Sequence, residues 1–283
     1  MDYQLENLYL ELLKKTLTFG LWEEPPVPLK EFNYQRRFYK KVPVAIVSEL
    51  LSWLNLELYK KSDLSPKEKE EGRHWPVYAH TMIGLKRLDN LQFCLESVIR
   101  NHIPGDLIEA GVWRGGACIL MRAILAVHKI KERRLLVADS FQGLPQPDPI
   151  KYPQDRGDEH HTHSYLAISQ EEVRENLKKY GLLDEQVVFL PGWFKDTLPN
   201  LPTDKLAVIR IDGDMYGSTR EALTYLYPKL SPGGYCIVDD YALRGCRAAV
   251  DDFRAAEKVQ EPWQRIDWTG IYWQKEPVRL ANS

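Results

Sequence analysis

The chain has 283 residues, of which 44% are hydrophobic, and a formal net charge of −2. This length and composition can supply a full core, and the nearly neutral charge gives no support to functions that depend on a basic surface, namely binding of nucleic acid or of anionic membranes. No apolar run reaches the roughly 20 residues that span a bilayer, and the acidic, amphipathic N-terminus lacks the pattern of a secretory signal.

The N-terminal part of the chain is predicted to be a helical extension followed by a linker. Leucines at helical spacing predict one helix over 3–21, and 42–61 has the pattern of a second. Three prolines in WEEPPVPLKEF interrupt the chain between them. The charged stretch KKSDLSPKEKEEGRHWP (60–76) is poor in apolar residues and typical of an exposed loop. We therefore divide the chain into an extension and linker, 1–75, and a main domain, 76–283.

Beyond this boundary, short apolar strands alternate with helices. The predicted strands are 106–112, 134–140, 186–192, 206–214 and 235–241, followed by two more on either side of Thr269-Gly270. The predicted helices are 88–101, 115–128, 169–181, 218–229 and 245–256, and a turn is predicted at SPGG (231–234). This alternation is typical of a parallel sheet covered on both faces. The sequence therefore predicts an α/β, Rossmann-like fold with a mostly parallel sheet of seven strands.

Acidic residues and glycines recur where the predicted strands end, which is the edge at which parallel sheets bind ligands. They are Glu109 to Gly111, Asp139, Gly192-Trp193, Asp212 with Asp214, and Asp239-Asp240. Five independent strand ends would rarely carry such residues for packing alone, so the sequence predicts one functional site along this edge.

The first two strand ends have the features of a nucleoside site. Gly111 and the glycines that follow it in EAGVWRGG allow the backbone to pass close to a ligand. Their spacing fits neither a dinucleotide fingerprint nor a phosphate-binding loop. Asp139 ends the second strand, where an acid can accept hydrogen bonds from ribose hydroxyls. An acid before the glycine, Glu109, and an acid after the second strand, Asp139, form a pattern that resembles class I S-adenosylmethionine-dependent methyltransferases. The alternative is that the glycines form a tight turn and that Asp139 is a surface residue.

The last two strand ends have the features of a metal site. Asp212, Asp239 and Asp240 offer hard oxygen ligands that suit octahedral Mg²⁺ or Mn²⁺. Asp214 would point to the same side as Asp212 if the strand continued, and could then act as a general base. The alternative is that Asp-Gly-Asp forms a turn and that Asp239-Asp240 caps a helix.

Seven motifs in order resemble the macrocin O-methyltransferase family, the TylF-type enzymes that methylate sugar hydroxyls of macrolides and related natural products. They are AHTMIGLKRLDNLQ (79–92), GDLIEAGVWRGGACILMRA (105–123), DSFQGLP (139–145), FLPGWFKDTLP (189–199), IRIDGDMYGST (209–219), LSPGGYCIVDDY (230–241) and IDWTGIYW (266–273). The resemblance covers about residues 76–275, and LYLELLKKTLT near the N-terminus shows a weaker similarity. It implies a class I methyltransferase fold, S-adenosylmethionine as donor and Mg²⁺ as cofactor.

The resemblance also implies a role for each matching residue. The implied metal ligands are Asp212, Asp239 and Asp240, and the implied base is Asp214. The implied cofactor contacts are Thr81, Met82, Glu109, Gly111, Asp139, Ser140, Trp193 and Phe194. One position departs from the family pattern, since the residue after the tyrosine of DGDMYGST is usually Glu and here is Gly217.

A histidine-rich stretch, DRGDEHHTHSYLA (155–167), admits two interpretations. Its three histidines, His160, His161 and His163, lie among acidic residues and could form a zinc site. The stretch is also similar to an acidic, His-containing lid that covers the substrate in the family, and this is the interpretation we favour.

Together these observations predict a Mg²⁺-dependent O-methyltransferase that acts on a small glycosylated acceptor and has no nucleic-acid or membrane partner. The four scattered cysteines predict reduced thiols in a cytoplasmic protein, and we expect a homodimer or higher homo-oligomer. A catechol or other phenol also chelates Mg²⁺, so a phenolic acceptor is the alternative within methyl transfer. Outside methyl transfer the alternatives are a metal-dependent hydrolase or aldolase on the same fold, and a non-catalytic scaffold.

Overall fold

A computed structural model describes residues 3–23, 25, 27–28, 38–57, 59–60 and 65–276. The helices are α1 (Tyr3–Leu17), α2 (Phe38–Trp53), α3 (Pro66–Glu70), α4 (Leu85–Arg100), α5 (Gly116–Val127), α6 (Gln170–Lys179), α7 (Phe194–Thr197), α8 (Tyr216–Leu226) and α9 (Arg244–Ala256). The strands are β1 (Val27–Pro28), β2 (Tyr59–Lys60), β3 (Asp106–Ala110), β4 (Leu135–Asp139), β5 (Val187–Pro191), β6 (Leu206–Ile211), β7 (Leu230–Val238), β8 (Gln264–Arg265) and β9 (Ile271–Gln274). None of the described helices is both long and apolar enough to cross a bilayer.

Seven of these strands form one sheet in the order β5-β4-β3-β6-β7-β9-β8. The five strands from β5 to β7 are parallel, whereas β9 runs antiparallel to both β7 and β8. Every residue of β3 and β6 is buried, as expected for strands covered on both faces. The predicted mostly parallel, seven-stranded sheet is thus confirmed. The strand order reverses between β3 and β6, which creates a crevice at their carboxyl ends.

The hydrophobic core consists of two clusters, one on each face of the sheet. α1, α4 and α5 pack on one face, and α8 and α9 pack on the other. Leu10, Leu13 and Leu17 bring α1 into the first cluster, so this helix shares a core with the sheet. The boundary near residue 75 stays a prediction. All four cysteines are free and buried, as predicted from their spacing.

Two segments differ from the sequence prediction. The predicted SPGG turn is wrong because these residues belong to β7. Gly234 lacks a Cβ that would lie 2.6 Å from the backbone oxygen of Ala207, so β7 can approach β6 closely there. The predicted loop over 60–76 contains α3, which begins at a capping box formed by Ser65 and Glu68. Residues 61–64, and most of the proline-rich stretch after α1, lie outside the described residues.

Candidate active site

A single cavity lies at the carboxyl ends of the parallel strands, beside the point where the strand order reverses. Its walls include Gly111, Asp139 and Trp193 from one side and Asp212 and Asp214 from the other. The structure therefore brings the predicted nucleoside residues and two of the predicted acidic residues to one continuous space.

Six of the eight residues assigned to the cofactor line this cavity. They are Met82, Gly111, Asp139, Ser140, Trp193 and Phe194. Thr81 and Glu109 are not among the lining residues. Both are buried, and the Thr81 hydroxyl accepts a hydrogen bond from the backbone of Ile83 at 3.3 Å.

Gly111 is required where the ends of β3 and β6 meet. Its φ is +90°, and a Cβ at this position would lie 1.8 Å from the backbone oxygen of Asp212. The absence of a side chain thus allows the end of β3, which leads to the predicted nucleoside residues, to lie against the end of β6, which carries the acidic residues.

We expect Gly111→Ala to lower the free energy of unfolding by about 1–2 kcal/mol for the backbone conformation and by about 1–3 kcal/mol more for the collision. Gly181→Ala is the matched control, because its φ is +68° but nothing lies within 4 Å of the added Cβ. Thermal and urea unfolding of both variants measure the difference. Equal losses would show that the contact with Asp212 does not constrain position 111.

Asp139 anchors the loop that follows β3. Its carboxylate accepts hydrogen bonds from the backbone N–H groups of Val112 at 2.7 Å and Phe141 at 2.8 Å. Burial raises the pKa of Asp139, and the backbone hydrogen bonds oppose this shift. The side chain is therefore fixed at the cavity wall in the orientation needed to accept further hydrogen bonds from a ligand.

A buried arginine joins the two sides of the site. Arg210, inside β6, donates to Glu109 at 2.5 Å, to Asp239 at 2.6 Å and to Asp212 at 3.0 Å. Burial raises the pKa of Glu109 to about 7 against the opposing charge of Arg210, and Glu109 also accepts a hydrogen bond from Cys118 at 2.7 Å. Arg210 was not among the residues predicted from the sequence, although a charge inside an apolar strand indicates a buried partner.

A second arginine, Arg87 on α4, reaches the same acidic cluster. It forms ion pairs with Asp239 and, at 2.9 Å, with Asp267 in the segment before β9. Burial would raise the pKa of Asp239, but the charges of Arg210 and Arg87 outweigh it and lower that pKa. Asp239 is therefore neutralised by protein cations and held on the side of the arginines.

Three carboxylates converge nearby, and only one of them, Asp212, is paired with an arginine. Asp212, Asp214 and Asp240 each offer an oxygen, and these oxygens lie within 4.8 Å of one another. Ligands on opposite sides of one Mg²⁺ lie about 4.2 Å apart, twice the metal–oxygen distance, so the three oxygens nearly have the spread that a shared cation needs. Among the described residues, neither guanidinium forms an ion pair with Asp214 or Asp240.

The electrostatics of these three carboxylates favour a bound cation. Burial and the nearby charge of Asp212 raise the pKa of Asp214 to about 7. Burial and the charges of Asp214 and Asp212 raise the pKa of Asp240 well above its ordinary value. A divalent cation between the carboxylates would remove this repulsion. The acidic cluster therefore fits a hard metal ion, and the sequence-predicted ligand set of Asp212, Asp239 and Asp240 stays a prediction.

Asp214 reaches the cluster by a route that the sequence did not indicate. β6 ends at Ile211, so the expected strand alternation beyond Asp212 is wrong. Instead Asp214 has a φ of +53° in the left-handed region, and its N–H lies 3.3 Å from the carboxylate of Asp240. Such backbone conformations are costly for non-glycine residues and often occur at functional sites.

The segment between β4 and α6 lies across the acidic end of the cavity. Its Asp155 is buried and accepts hydrogen bonds from the backbone N–H groups of Tyr216 at 2.7 Å and Gly217 at 2.9 Å, at the start of α8. A Cβ at Gly217 would lie 2.6 Å from the ring of Tyr152. Gly217, which departs from the Glu of the family pattern, therefore leaves room for this segment, and the segment is held beside Asp214 by Asp155.

The three histidines of this segment do not converge as zinc ligands. The rings of His160 and His163 have centroids 6.2 Å apart, in an edge-to-face arrangement. Within the described residues, the only cluster with metal-ligand spacing is that of Asp212, Asp214 and Asp240. The structure thus favours the lid interpretation over the zinc site.

A seven-stranded sheet of this order, with a glycine turn after its first central strand and an acid at the end of the next, defines a class I S-adenosylmethionine-dependent methyltransferase. The chain belongs to the macrocin O-methyltransferase (TylF) family, whose sequence model matches residues 6–275. It is therefore an S-adenosylmethionine-dependent O-methyltransferase, which confirms the family resemblance of the seven motifs.

Relatives with assigned substrates resemble nearly the whole chain. The chain is 48% identical over 271 residues to demethyldecarbamoylnovobiocin O-methyltransferase of Streptomyces niveus, covering 95% of this chain and 94% of the relative. It is 47% identical over 274 residues to 8-demethyl-8-(2,3-dimethoxy-alpha-L-rhamnosyl)-tetracenomycin-C 4'-O-methyltransferase of Streptomyces olivaceus, covering 96% and 94%. The solved structure of the O-methyltransferase NovP superposes with a TM-score of 0.81 at 47% identity, covering 96% of this chain and 99% of that one.

Proposed function

We propose that the chain transfers a methyl group from S-adenosylmethionine to a sugar hydroxyl of a glycosylated natural product, with the help of Mg²⁺. One observation carries the proposal: a single cavity joins Gly111, Asp139 and Trp193 to Asp212 and Asp214. A donor and an acceptor bound at its two ends would meet beside the acidic cluster. A sugar acceptor is supported by the relatives, one of which is named for methylation of a rhamnosyl group.

The donor binds, in this proposal, at the end of the cavity formed by β3, β4 and β5. Asp139 would accept hydrogen bonds from the ribose, the turn at Gly111 would lie along the methionine part, and Trp193 and Phe194 would contact the cofactor from the opposite wall. Thr81 and Glu109 do not line the cavity, so they would affect the cofactor only through the residues that do. S-adenosylmethionine, when bound, supplies a methyl group on a sulfonium that a hydroxyl oxygen can attack.

The acceptor binds at the acidic end. Asp212 and Asp240 are ligands of Mg²⁺ in both the sequence-derived set and the converging set. We keep Asp239, which the family resemblance implies, as the third ligand, although it would have to be shared between the metal and the two arginines. Mg²⁺, when bound, lowers the pKa of a hydroxyl that it coordinates. Asp214 lies beside these ligands and lines the cavity, so it can accept the proton of the reacting hydroxyl.

A methyl-transfer assay with labelled S-adenosylmethionine tests this assignment. The acceptors are a glycosylated macrolide or aminocoumarin, its aglycone and a catechol, each with Mg²⁺ and with a chelator. We expect label on the sugar of the glycosylated compound only, and a loss of transfer on chelation. Label on the catechol but not on the sugar would overturn the sugar assignment in favour of a phenolic acceptor.

We expect Asp139→Asn to weaken binding of S-adenosylhomocysteine by about 10- to 100-fold, because it removes the negative charge and replaces one acceptor oxygen by an NH2 donor. Calorimetric titration with and without Mg²⁺ measures the affinity. Asp196→Asn is the control, since Asp196 is exposed on the neighbouring α7. Equal affinities of the two variants would contradict the role of Asp139.

We also propose a cytoplasmic homodimer or higher homo-oligomer. The free cysteines support a reducing compartment. Leu5, Leu8 and Leu12 form an exposed apolar stripe along α1, on the opposite side from its buried leucines, and Leu50 and Trp53 of α2 are also exposed. Such faces are typical of contacts between subunits.

A further inference from the structure

The lid segment contains one histidine whose setting differs from that of its neighbours. Nδ1 of His160 lies 3.0 and 2.9 Å from the two carboxylate oxygens of Asp158, and the His160 backbone N–H donates to Asp158 at 2.9 Å. Because a carboxylate accepts only, Nδ1 must carry the proton, which leaves Nε2 for another partner. His161 is exposed, whereas the ring of His160 is half-buried.

The fold holds this pair beside the proposed base. Asp155 is bound to the N–H groups of Tyr216 and Gly217, two and three residues after Asp214. The N–H of Asp158 in turn donates to the backbone oxygen of Asp155 at 3.0 Å. A short, hydrogen-bonded stretch of chain therefore fixes His160 relative to Asp214.

The electrostatics agree with this placement. Burial lowers the pKa of His160, but the hydrogen bond with Asp158 and the charge of Asp214 outweigh it and raise that pKa. Asp214 responds in the opposite sense, since His160 counteracts the rise in its pKa. The two side chains are thus close enough for their charges to interact, and Asp214 lines the cavity beside which His160 lies.

We propose that His160, oriented by Asp158, binds the acceptor through Nε2 at a hydroxyl adjacent to the one that reacts. A sugar offers such neighbouring hydroxyls, and an imidazole oriented by Asp158 presents Nε2 to a hydroxyl at one position, as an acceptor when the ring is neutral and as a donor when it is protonated. The inference rests on the proposed sugar acceptor. It assigns His160 to acceptor binding and Asp158 to positioning its ring.

Steady-state kinetics of His160→Ala, with His161→Ala as the matched control, test this role. We expect KM for the glycosylated acceptor to rise by about 10- to 100-fold in His160→Ala, the effect of losing a hydrogen bond in a buried site. The fall in kcat should be smaller, and the affinity for S-adenosylhomocysteine should not change. His160→Gln, which keeps a polar group, should recover part of the lost affinity, and Asp158→Asn should lie between the wild type and His160→Ala.

An acceptor KM in His160→Ala equal to that of His161→Ala would overturn the inference and leave the sugar assignment intact. A parallel loss of S-adenosylhomocysteine affinity would also overturn it, because the residue would then close the lid and not bind the acceptor. Failure of the wild type to methylate any sugar acceptor would instead overturn the proposed function, and the inference with it.

Discussion

Asp214→Asn is expected to lower kcat by about 10²- to 10⁴-fold, the usual effect of removing a general base. The substitution keeps the size of the side chain and its place in the left-handed turn, which Asn also tolerates. Binding of S-adenosylhomocysteine and of the metal should be retained. The loss should therefore lie in the chemical step, which single-turnover assays with labelled donor can isolate.

Asp240→Asn provides the comparison for this prediction. The carboxylate of Asp240 accepts a hydrogen bond from the backbone N–H of Asp214 at 3.3 Å and contributes an oxygen to the converging cluster. We expect its replacement to reduce Mn²⁺ affinity, measured by electron paramagnetic resonance, by more than about tenfold, since even the loss of an outer partner costs 10- to 100-fold. An equal loss of Mn²⁺ affinity in Asp214→Asn would contradict the base assignment. Asp214 would then be a ligand in place of Asp239, as the spacing of the three carboxylates allows.

The sequence predicted the features that depend on local pattern. β3, β4 and β6 are short apolar runs, and their ends can be read from the residues that follow them. Since carboxyl ends of parallel strands share one edge, Gly111, Asp139 and Asp212 could be assigned to one site before any contact was known. These residues do lie at one cavity.

The features that escaped prediction depend on contacts between distant parts of the chain. Arg210 and Glu109 are 101 residues apart, and Arg87 and Asp239 are 152 apart. Nothing in the local sequence shows that arginines, and not only a metal, compensate Asp239. The position of Asp214 escaped for a different reason, because a turn with φ of +53° replaces the strand that the apolar pattern suggests.

Arg210→Met is expected to lower the free energy of unfolding by about 3–5 kcal/mol, the usual cost of breaking a buried ion pair. Methionine fills similar space but leaves Glu109 and Asp239 buried without this cation. Arg134→Met is the matched control. Arg134 pairs with Asp106 at the opposite end of β3 but is 39% exposed, so its loss should change stability by less than about 1 kcal/mol. Urea unfolding at neutral pH measures both.

The pH dependence separates uncompensated charge from lost packing. Burial already raises the pKa of Glu109 from its ordinary 4.5 to about 7, so the folded state binds more protons than the unfolded state between these values. The contribution of Glu109 to the stability must then fall as pH rises through this window. Removing Arg210 takes away the opposing cation, raises the pKa of Glu109 further and should extend that fall to higher pH, and Glu109→Gln added to Arg210→Met should remove it and restore part of the stability. If both variants lost the same stability at every pH, Arg210 would act through its packing, and its charge would not be what holds the strand ends together.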